Sequence, residues 1–532
     1  MNHIELFAGC GGLSLGLDKA GFKLIMANEL SPMAAETFAY NFLNENLEEI
    51  AKNDGKPKQS YWLNSQFSDL KSRLRENPFN SPSFSSGEGF SDIPKDLDKL
   101  QGKLVIGSII ELNKLLENTP ELVKKLQDGF GKGGLDLVSG GPPCQSFSMA
   151  GLRKRDCDKN SLPWEFAKFV SLTKPKIAVL ENVTGILRAF KDDDGNSFHA
   201  WFEVAKVFAT KGYVPLCLHI NARLAGIAQN RPRFIMIAIR EDIYDRLAIN
   251  FKSDSTESKL FKSSEIFFQA VQKDIGKVKF GSLPYFDVTK PADLALFKNS
   301  FLHHLVGINE VSVREALDDL KQKKPKPVSK FVKNLNKTFS NSLKKREGGI
   351  PNHEQRNNSE IVKRRFRLYQ VLQQIDNRSV TKAVFAILKG SDTQLNENVW
   401  AEIKEYSYLR ESGKLELFSK KESFITYLLS HPTKKQTQKA LAPNSPAPAA
   451  LSIPDDACHY DEDELRVLTV REMARIQSFP DNFVFRSKVT TGGQMRKFEV
   501  PQYTQVGNAV PPLLGLALGK VIKELLNSKC DS

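Results

Sequence analysis

The chain has 532 residues, 40% of them hydrophobic and 26% charged, ordinary values for a globular protein with ample length for a large core. Its formal charge of +14 is unevenly placed: residues 321–367 hold fifteen Lys/Arg against three Glu, a net +12, the footprint of a polyanion-binding surface. Six cysteines without a C-x-x-C pair argue against a disulfide framework and a zinc site. No apolar run reaches about 18 residues and no N-terminal signal is visible, so the expected setting is reducing and cytoplasmic, with no membrane.

Short apolar runs at 3–6, 23–28, 104–107, 135–139, 177–180, 213–221 and 234–240 alternate with amphipathic stretches at 33–42, 110–125, 163–173 and 198–211. This alternation predicts an α/β fold over residues 1–240, a doubly wound and mostly parallel sheet. The last two runs lie too close together for a crossover helix, so one antiparallel pair is expected near the edge. Residues 53–101 break the rhythm with Ser, Pro, Gly, Asn and scattered Phe, which predicts an inserted surface excursion. From 241 to about 440 the periodicity is irregular, and 440–450, with three prolines, reads as a stiff connector. Thr469, followed three residues later by Glu472, makes a capping box that opens a helix over 469–478. The amphipathic helix at 512–527 is expected to dock back on the first domain, so residues 466–532 return to it.

Four places carry chemistry. Gly140-Gly-Pro-Pro-Cys-Gln-Ser-Phe-Ser148 follows a buried run, and its two prolines fix the backbone just ahead of Cys144. That holds a thiol at the carboxyl end of a strand, where open α/β sheets place their ligands. Cys10 and Cys157 lack this bracing. Glu5-Leu-Phe-Ala-Gly-Cys-Gly-Gly-Leu13 is a strand running through a glycine-rich turn into a helix, and Glu29 ends the next strand, where a carboxylate can take both hydroxyls of a ribose. The glycine spacing is not G-x-G-x-x-G, so a nicotinamide cofactor is the poorer guess. Glu181 ends the run at 177–180; a carboxylate emerging there, if desolvated, can hold a proton near neutrality. Arg231 and Arg233, two apart on an extended segment, can reach one anionic or carbonyl-bearing ligand.

In order and spacing the chain resembles the DNA (cytosine-5-)-methyltransferases of bacterial restriction-modification type. The matching pieces are Phe7-Ala-Gly-Cys-Gly-Gly12, Pro142-Pro-Cys-Gln145, Glu181-Asn-Val183, Gln229-Asn-Arg-Pro-Arg233, residues 468–480, and Gln505-Val-Gly-Asn-Ala-Val510. The resemblance implies a Rossmann-like, S-adenosyl-L-methionine-dependent catalytic domain with a smaller, irregular target recognition domain at 241–465. It also implies cofactor contacts from Phe7, Gly9, Cys10, Gly11, Gly12, Glu29, Ser108, Ile109, Pro142, Leu162, Asn508 and Val510. Cys144 would attack carbon 6 of a flipped-out cytosine, with Glu181 on the amine and ring nitrogen 3 and Arg233 on the carbonyl. Arg231 would serve the catalytic set through the backbone or the loop carrying Cys144. The sequence departs at Ser108, where the family usually carries an aspartate on the adenine amine.

The partners so implied are double-stranded DNA and a cognate restriction endonuclease, functional rather than necessarily physical, with the enzyme a monomer. The run at 321–367 would grip phosphates, and Pro351-Asn-His-Glu-Gln-Arg-Asn357 offers polar side chains for DNA, with His353 more in keeping with a structural residue than a base reader. Two other readings stand beside this one: a tRNA-methylating relative with the same catalytic set, and a non-catalytic DNA-binding relative.

Overall fold

A computed structural model describes residues 1–80, 89–143, 162–191, 197–344, 348–433, 438–449 and 451–528. Nine strands form one sheet: β1 (Asn2–Leu6), β2 (Lys23–Glu29), β3 (Ser60–Trp62), β4 (Lys103–Ile106), β5 (Leu137–Gly140), β6 (Ile177–Val183), β7 (Tyr213–Asn221), β8 (Pro232–Arg240) and β9 (Phe286–Asp287), in the spatial order β9-β7-β8-β6-β5-β1-β2-β4-β3. The order runs outward both ways from the β1/β5 neighbours, the crevice at which doubly wound sheets take ligands. β1, β5 and β6 are buried almost throughout, as central parallel strands covered on both faces must be.

The antiparallel pair expected of the last two long runs is present as β7 and β8, and because β8 slots between β7 and β6 it makes a second antiparallel pairing. The short β9 then adds parallel to β7 as the outermost strand. The stretch at 53–101 is not merely a surface excursion. Its Ser60–Trp62 segment is the opposite edge strand, parallel to β4, with Trp62 fully buried beneath the Arg73 guanidinium.

Helices cover the sheet: α1 (Gly12–Ala20), α2 (Pro32–Phe38), α3 (Ile109–Asn118), α4 (Pro120–Gln127), α5 (Leu162–Thr173) and α6 (Ala200–Thr210). The stretch expected as one helix at 110–125 divides at Thr119, since Pro120 cannot donate into a continuing helix and instead starts the next one. Farther on, α7 (Lys330–Thr338) and α8 (Glu360–Ile375) belong to the middle region. α9 (Val470–Ile476), α10 (Gln502–Asn508) and α11 (Pro512–Asn527) belong to the returning segment. The capping box predicted for α9 is present, with Thr469 and Glu472 each bonding the other's backbone amide. α11 packs on α1 as expected, joining Leu514, Leu518 and Val521 to Leu13 and Leu17 in the sheet's own core.

That core continues past the last long strand through Leu260, Phe267, Phe297 and Leu302. A separate apolar cluster gathers Phe366, Tyr369, Val384, Tyr408 and Phe424. The connector at 440–450 is pinned rather than free-standing: Asn230 donates its amide to the Ala447 carbonyl at 2.8 Å, and the Gln229 side chain donates to Pro448 at 3.0 Å.

Candidate active site

The chain leaves β1 through Phe7, whose φ of +54° lies in the left-handed region, and reaches α1 through Gly11 at +95°. This turn is built around Glu29 at the end of β2. One carboxylate oxygen accepts the Gly9 amide at 2.7 Å and the other the Ser31 amide at 2.8 Å. Burial pushes the Glu29 pKa up, and the amides of Ser31 and Gly9 oppose that shift. Gly12 is required by a close approach, since a side chain there would overlap the Val510 carbonyl. The amino-terminal turn and the Asn508–Val510 segment, 500 residues apart, therefore form one wall.

The residues expected to touch a cofactor divide here. Phe7 and Val510 are half-buried, Asn508 is exposed, and Leu162, half-buried, begins α5. Cys10 turns its side chain inward, with Sγ 3.7 Å from the Gln505 carbonyl, and burial raises its pKa further above the ordinary thiol value. It is a core residue of the turn, offering a ligand only backbone. Ile109 likewise sits in the core. Ser108 is the N-cap of α3, its Oγ accepting the Ile110 amide at 3.2 Å, so the oxygen expected on an adenine amine already holds a helix end.

On the other side of β1, Glu181 near the end of β6 meets Arg233 near the start of β8, Nε to Oε1 at 2.6 Å, both side chains about nine-tenths buried. Asn182 donates to the Pro142 carbonyl at 2.9 Å, and Glu181 Oε2 lies 2.9 Å from where a side chain on Gly141 would begin. The strand end that leads into Cys144 is thus fastened to the strand carrying Glu181. Cys144 itself lies outside the described residues, as do Gln145 and Cys157. Arg231 does not join the acid pair directly. Its guanidinium donates to the carbonyls of Gly507 (2.8 Å) and Ala509 (3.0 Å), and burial, with Arg233 nearby, holds its pKa well below the usual arginine value while Glu181 opposes. It is a positioning residue that ties the start of β8 to the wall facing Gly12.

Sequence reasoning gave no role to Asn182 or Gln505. Gln505 donates to the carbonyls of Met33 (3.1 Å) and Val500 (3.0 Å) and accepts from the Thr37 hydroxyl at 2.6 Å, locking α10 to α2. Both stood inside recognised motifs, but their partners are backbone groups or residues far away in sequence.

The sequence model of the C-5 cytosine-specific DNA methylases matches residues 1–68 and 113–524. The chain belongs to that family. The type II methyltransferase M.DdeI of Desulfomicrobium norvegicum is 24% identical, over 98% of this chain and 88% of its own length. M.Bpa9945I of Bacillus paralicheniformis is 25% identical, over 98% of this chain and 99% of its own. The solved S. pombe Dnmt2 methyltransferase covers 99% of both chains at 14% identity and a TM-score of 0.39, too distant to carry an argument. The methylase is a DNA (cytosine-5-)-methyltransferase, homologous over its full length to type II restriction-modification enzymes. Family membership implies S-adenosyl-L-methionine as methyl donor and DNA as substrate.

The basic run of the methylase is not the uniform phosphate grip expected of it. Lys321, nearly buried, bonds Asp461 at 2.8 Å and faces Asp318 at 3.5 Å, while Lys323 and Lys324 face Asp463. Arg367 is buried on the Ser407 carbonyl and faces Glu462 at 3.2 Å. Among the exposed residues of the run, Lys330, Lys333 and Lys337 form a row on α7. The peptide 351–357 is also partly structural. Asn352 is buried, bonding both backbone groups of Phe485 and the Gln502 side chain; His353 lies between the Thr469 hydroxyl and the Leu320 carbonyl. Among the described residues, no helix is long and apolar enough to cross a membrane.

Proposed function

We propose that the methylase modifies carbon 5 of a cytosine flipped out of a specific duplex sequence, through a transient covalent bond to Cys144, and so protects host DNA from a cognate endonuclease. The single observation that supports the site is the Glu181–Arg233 pair at 2.6 Å beside a Pro142 carbonyl held by Asn182, two residues ahead of Cys144. Carbon 5 of cytosine is too weak a nucleophile to take a methyl group unaided, and addition of a thiolate at carbon 6 divides the hard step. Cys144 forms the carbon–sulfur bond. Glu181 hydrogen-bonds the exocyclic amine and ring nitrogen 3, relieving the charge pushed into the ring. Arg233, already fixed by Glu181, takes the cytosine carbonyl. Carbon 5 then gains the methyl group and loses its proton, and the sulfur leaves with its electron pair as thiolate.

The buried turn and its carboxylate suit a nucleoside sulfonium, with Glu29 toward the ribose and Phe7, Gly9–Gly12, Pro142, Leu162 and Asn508–Val510 around the remainder. S-adenosyl-L-methionine supplies the methyl group when bound. Within residues 241–465, the part beyond Val306, where the sheet's core ends, serves as the target recognition region, and the enzyme works as a cytoplasmic monomer. A duplex carrying 5-fluorocytosine at the target tests the chemistry, because the missing proton at carbon 5 blocks release. The wild type is expected to form a denaturant-stable adduct and Cys144→Ser none, while binding unmodified duplex normally. An adduct with Cys144→Ser would move the nucleophile elsewhere. Bisulfite sequencing of DNA from expressing cells reads the target sequence.

A further inference from the structure

We propose that the edge lobe beginning at β3 forms the wall against which the cofactor's adenine ring is held, with the turn Leu63–Ser65 doing what the side chain of Ser108 does not. This rests on the reading that the nucleoside lies across the Phe7–Gly12 turn with its ribose at Glu29. A nucleoside laid from β1 to β2 points its base along the sheet toward β4 and β3. The register makes this concrete: Glu29 is level with Ile106 on β4, and Ile106 with Trp62 on β3. That row spans about 10 Å, two strand spacings. One residue further lie Leu30, Gly107 and Leu63, at the carboxyl ends where the base would rest.

Four observations converge on this turn. Ser108 is the N-cap of α3, its Oγ accepting the Ile110 amide, which fixes that side chain at the helix end. Gly107 has a φ of +158°, and a side chain on it would begin 2.6 Å from the Leu63 carbonyl, so Leu63 stands directly beside the bare backbone at the end of β4. The turn is built to stay put. Asn64, at a φ of +59°, has its amide held by the Ser91 hydroxyl at 2.9 Å; Ser65 pairs with Phe90 through both backbone groups and bonds Glu76 at 2.7 Å. Finally, the family's sequence model passes over residues 69–112, the span containing β4, Ser108 and the Ser91, Phe90 and Glu76 props. The turn itself lies within the matched residues, whereas the groups that prop it do not.

Hydrogen–deuterium exchange of the full-length enzyme with and without S-adenosyl-L-homocysteine tests the wall directly. Saturating ligand should slow exchange about fivefold in peptides covering 60–67, as well as 7–12 and 29–31. Protection at 7–12 and 29–31 without any at 60–67 overturns the proposal and leaves the cofactor site standing. No protection at 7–12 or 29–31 brings down the underlying reading too. Ser91→Ala, which frees the Asn64 amide without touching the ligand, should weaken S-adenosyl-L-homocysteine by about tenfold. It should also flatten the preference over the hypoxanthine analogue S-inosyl-L-homocysteine, measured by calorimetry. A lowered unfolding temperature with an unchanged base preference makes Ser91 merely structural and overturns the proposal.

Discussion

The returning segment at 466–510 and the basic run at 321–367 are both crowded with charge, yet they treat it oppositely. In the returning segment each described arginine at 466, 471 and 475 is buried in a closed set of partners. Arg466 lies between Glu464 (2.7 Å) and Glu472 (2.8 Å), Arg475 between Asp319 and Asp481 (2.7 Å each), and Arg471 on the carbonyls of Pro351, Pro480 and Phe483. The basic run also has closed pairs, at Lys321 and Arg367, but turns its α7 lysines outward. A charge with fixed counter-groups is scaffold; a charge left in water is a field for a polyanion. The first kind fastens α9 to its surroundings, and the second leaves a field that DNA can use.

Breaking a closed set should have the largest effect. Glu472→Gln leaves the buried Arg466 cation with one carboxylate instead of two. Removing one partner of a buried pair costs 3–5 kcal/mol, and because Glu464 remains, about 3 kcal/mol is expected in urea unfolding. A loss below about 0.5 kcal/mol, the scale of ordinary surface substitutions, would place these charges in water and erase the contrast between the two regions.

Acid probes the same set without mutation. Burial drives the pKa of His459 down to about 4, with Arg466 assisting and Glu472, Glu464 and Asp461 opposing. The unfolded chain takes up this proton below about pH 6.5 and the folded chain only near 4, so stability contributed by neutral His459 falls as pH drops through that window. Between pH 6.5 and 5 the loss is about 2 kcal/mol, and His459→Gln should flatten the slope by that amount. Glu472 works in a lower window. Arg466 and the Thr469 amide hold its pKa near 2 against burial, so its contribution is complete above about 4.5 and lost toward 2. If His459→Gln keeps the full slope from 6.5 to 5, the loss originates elsewhere, His3 being the other strongly shifted buried histidine.

What could be read from sequence follows from how local each feature is. The β1 turn, the α9 capping box and the α11 span were legible because glycine spacing, a cap and helical periodicity are written within a few residues. β3 was not, since three residues set in a Ser/Pro/Gly-rich stretch carry no periodicity and its partner β4 begins about forty residues later. The ion pairs within the basic run were hidden for the same reason: the carboxylates that face Lys321, Lys323 and Lys324 stand at 461 and 463. The duty of Ser108 as a helix cap was not legible, because it depends on where α3 starts. At the candidate site Glu181 and Arg233 could be named from motif order, whereas Asn182 and Gln505 act on carbonyls and side chains that sequence proximity does not reveal.

The smallest effect separates the two kinds of lysine within the basic run itself. Lys330, Lys333 and Lys337 recur at helical spacing on one exposed stripe of α7, whose opposite side buries Val332 and Leu335. Each phosphate contact contributes about 0.9 to the slope of log affinity against log salt for duplex DNA, so neutralising all three to Gln should flatten that slope by up to about 2.7. Lys323 and Lys324 are as exposed, but both face Asp463, and the doublet with its carboxylate presents a weaker net field. Their double Gln variant should change the slope by less than about 1, one phosphate contact's worth, and should leave stability nearly untouched because such surface pairs contribute at most about 1 kcal/mol. The triple variant removes three charges and the double variant two, so net charge alone would give slope changes in a ratio of about three to two. Slope changes in that proportion would mean that total charge, rather than its placement on α7, attracts the duplex; a larger change from Lys323 and Lys324 would move the phosphate track to the Asp463 side.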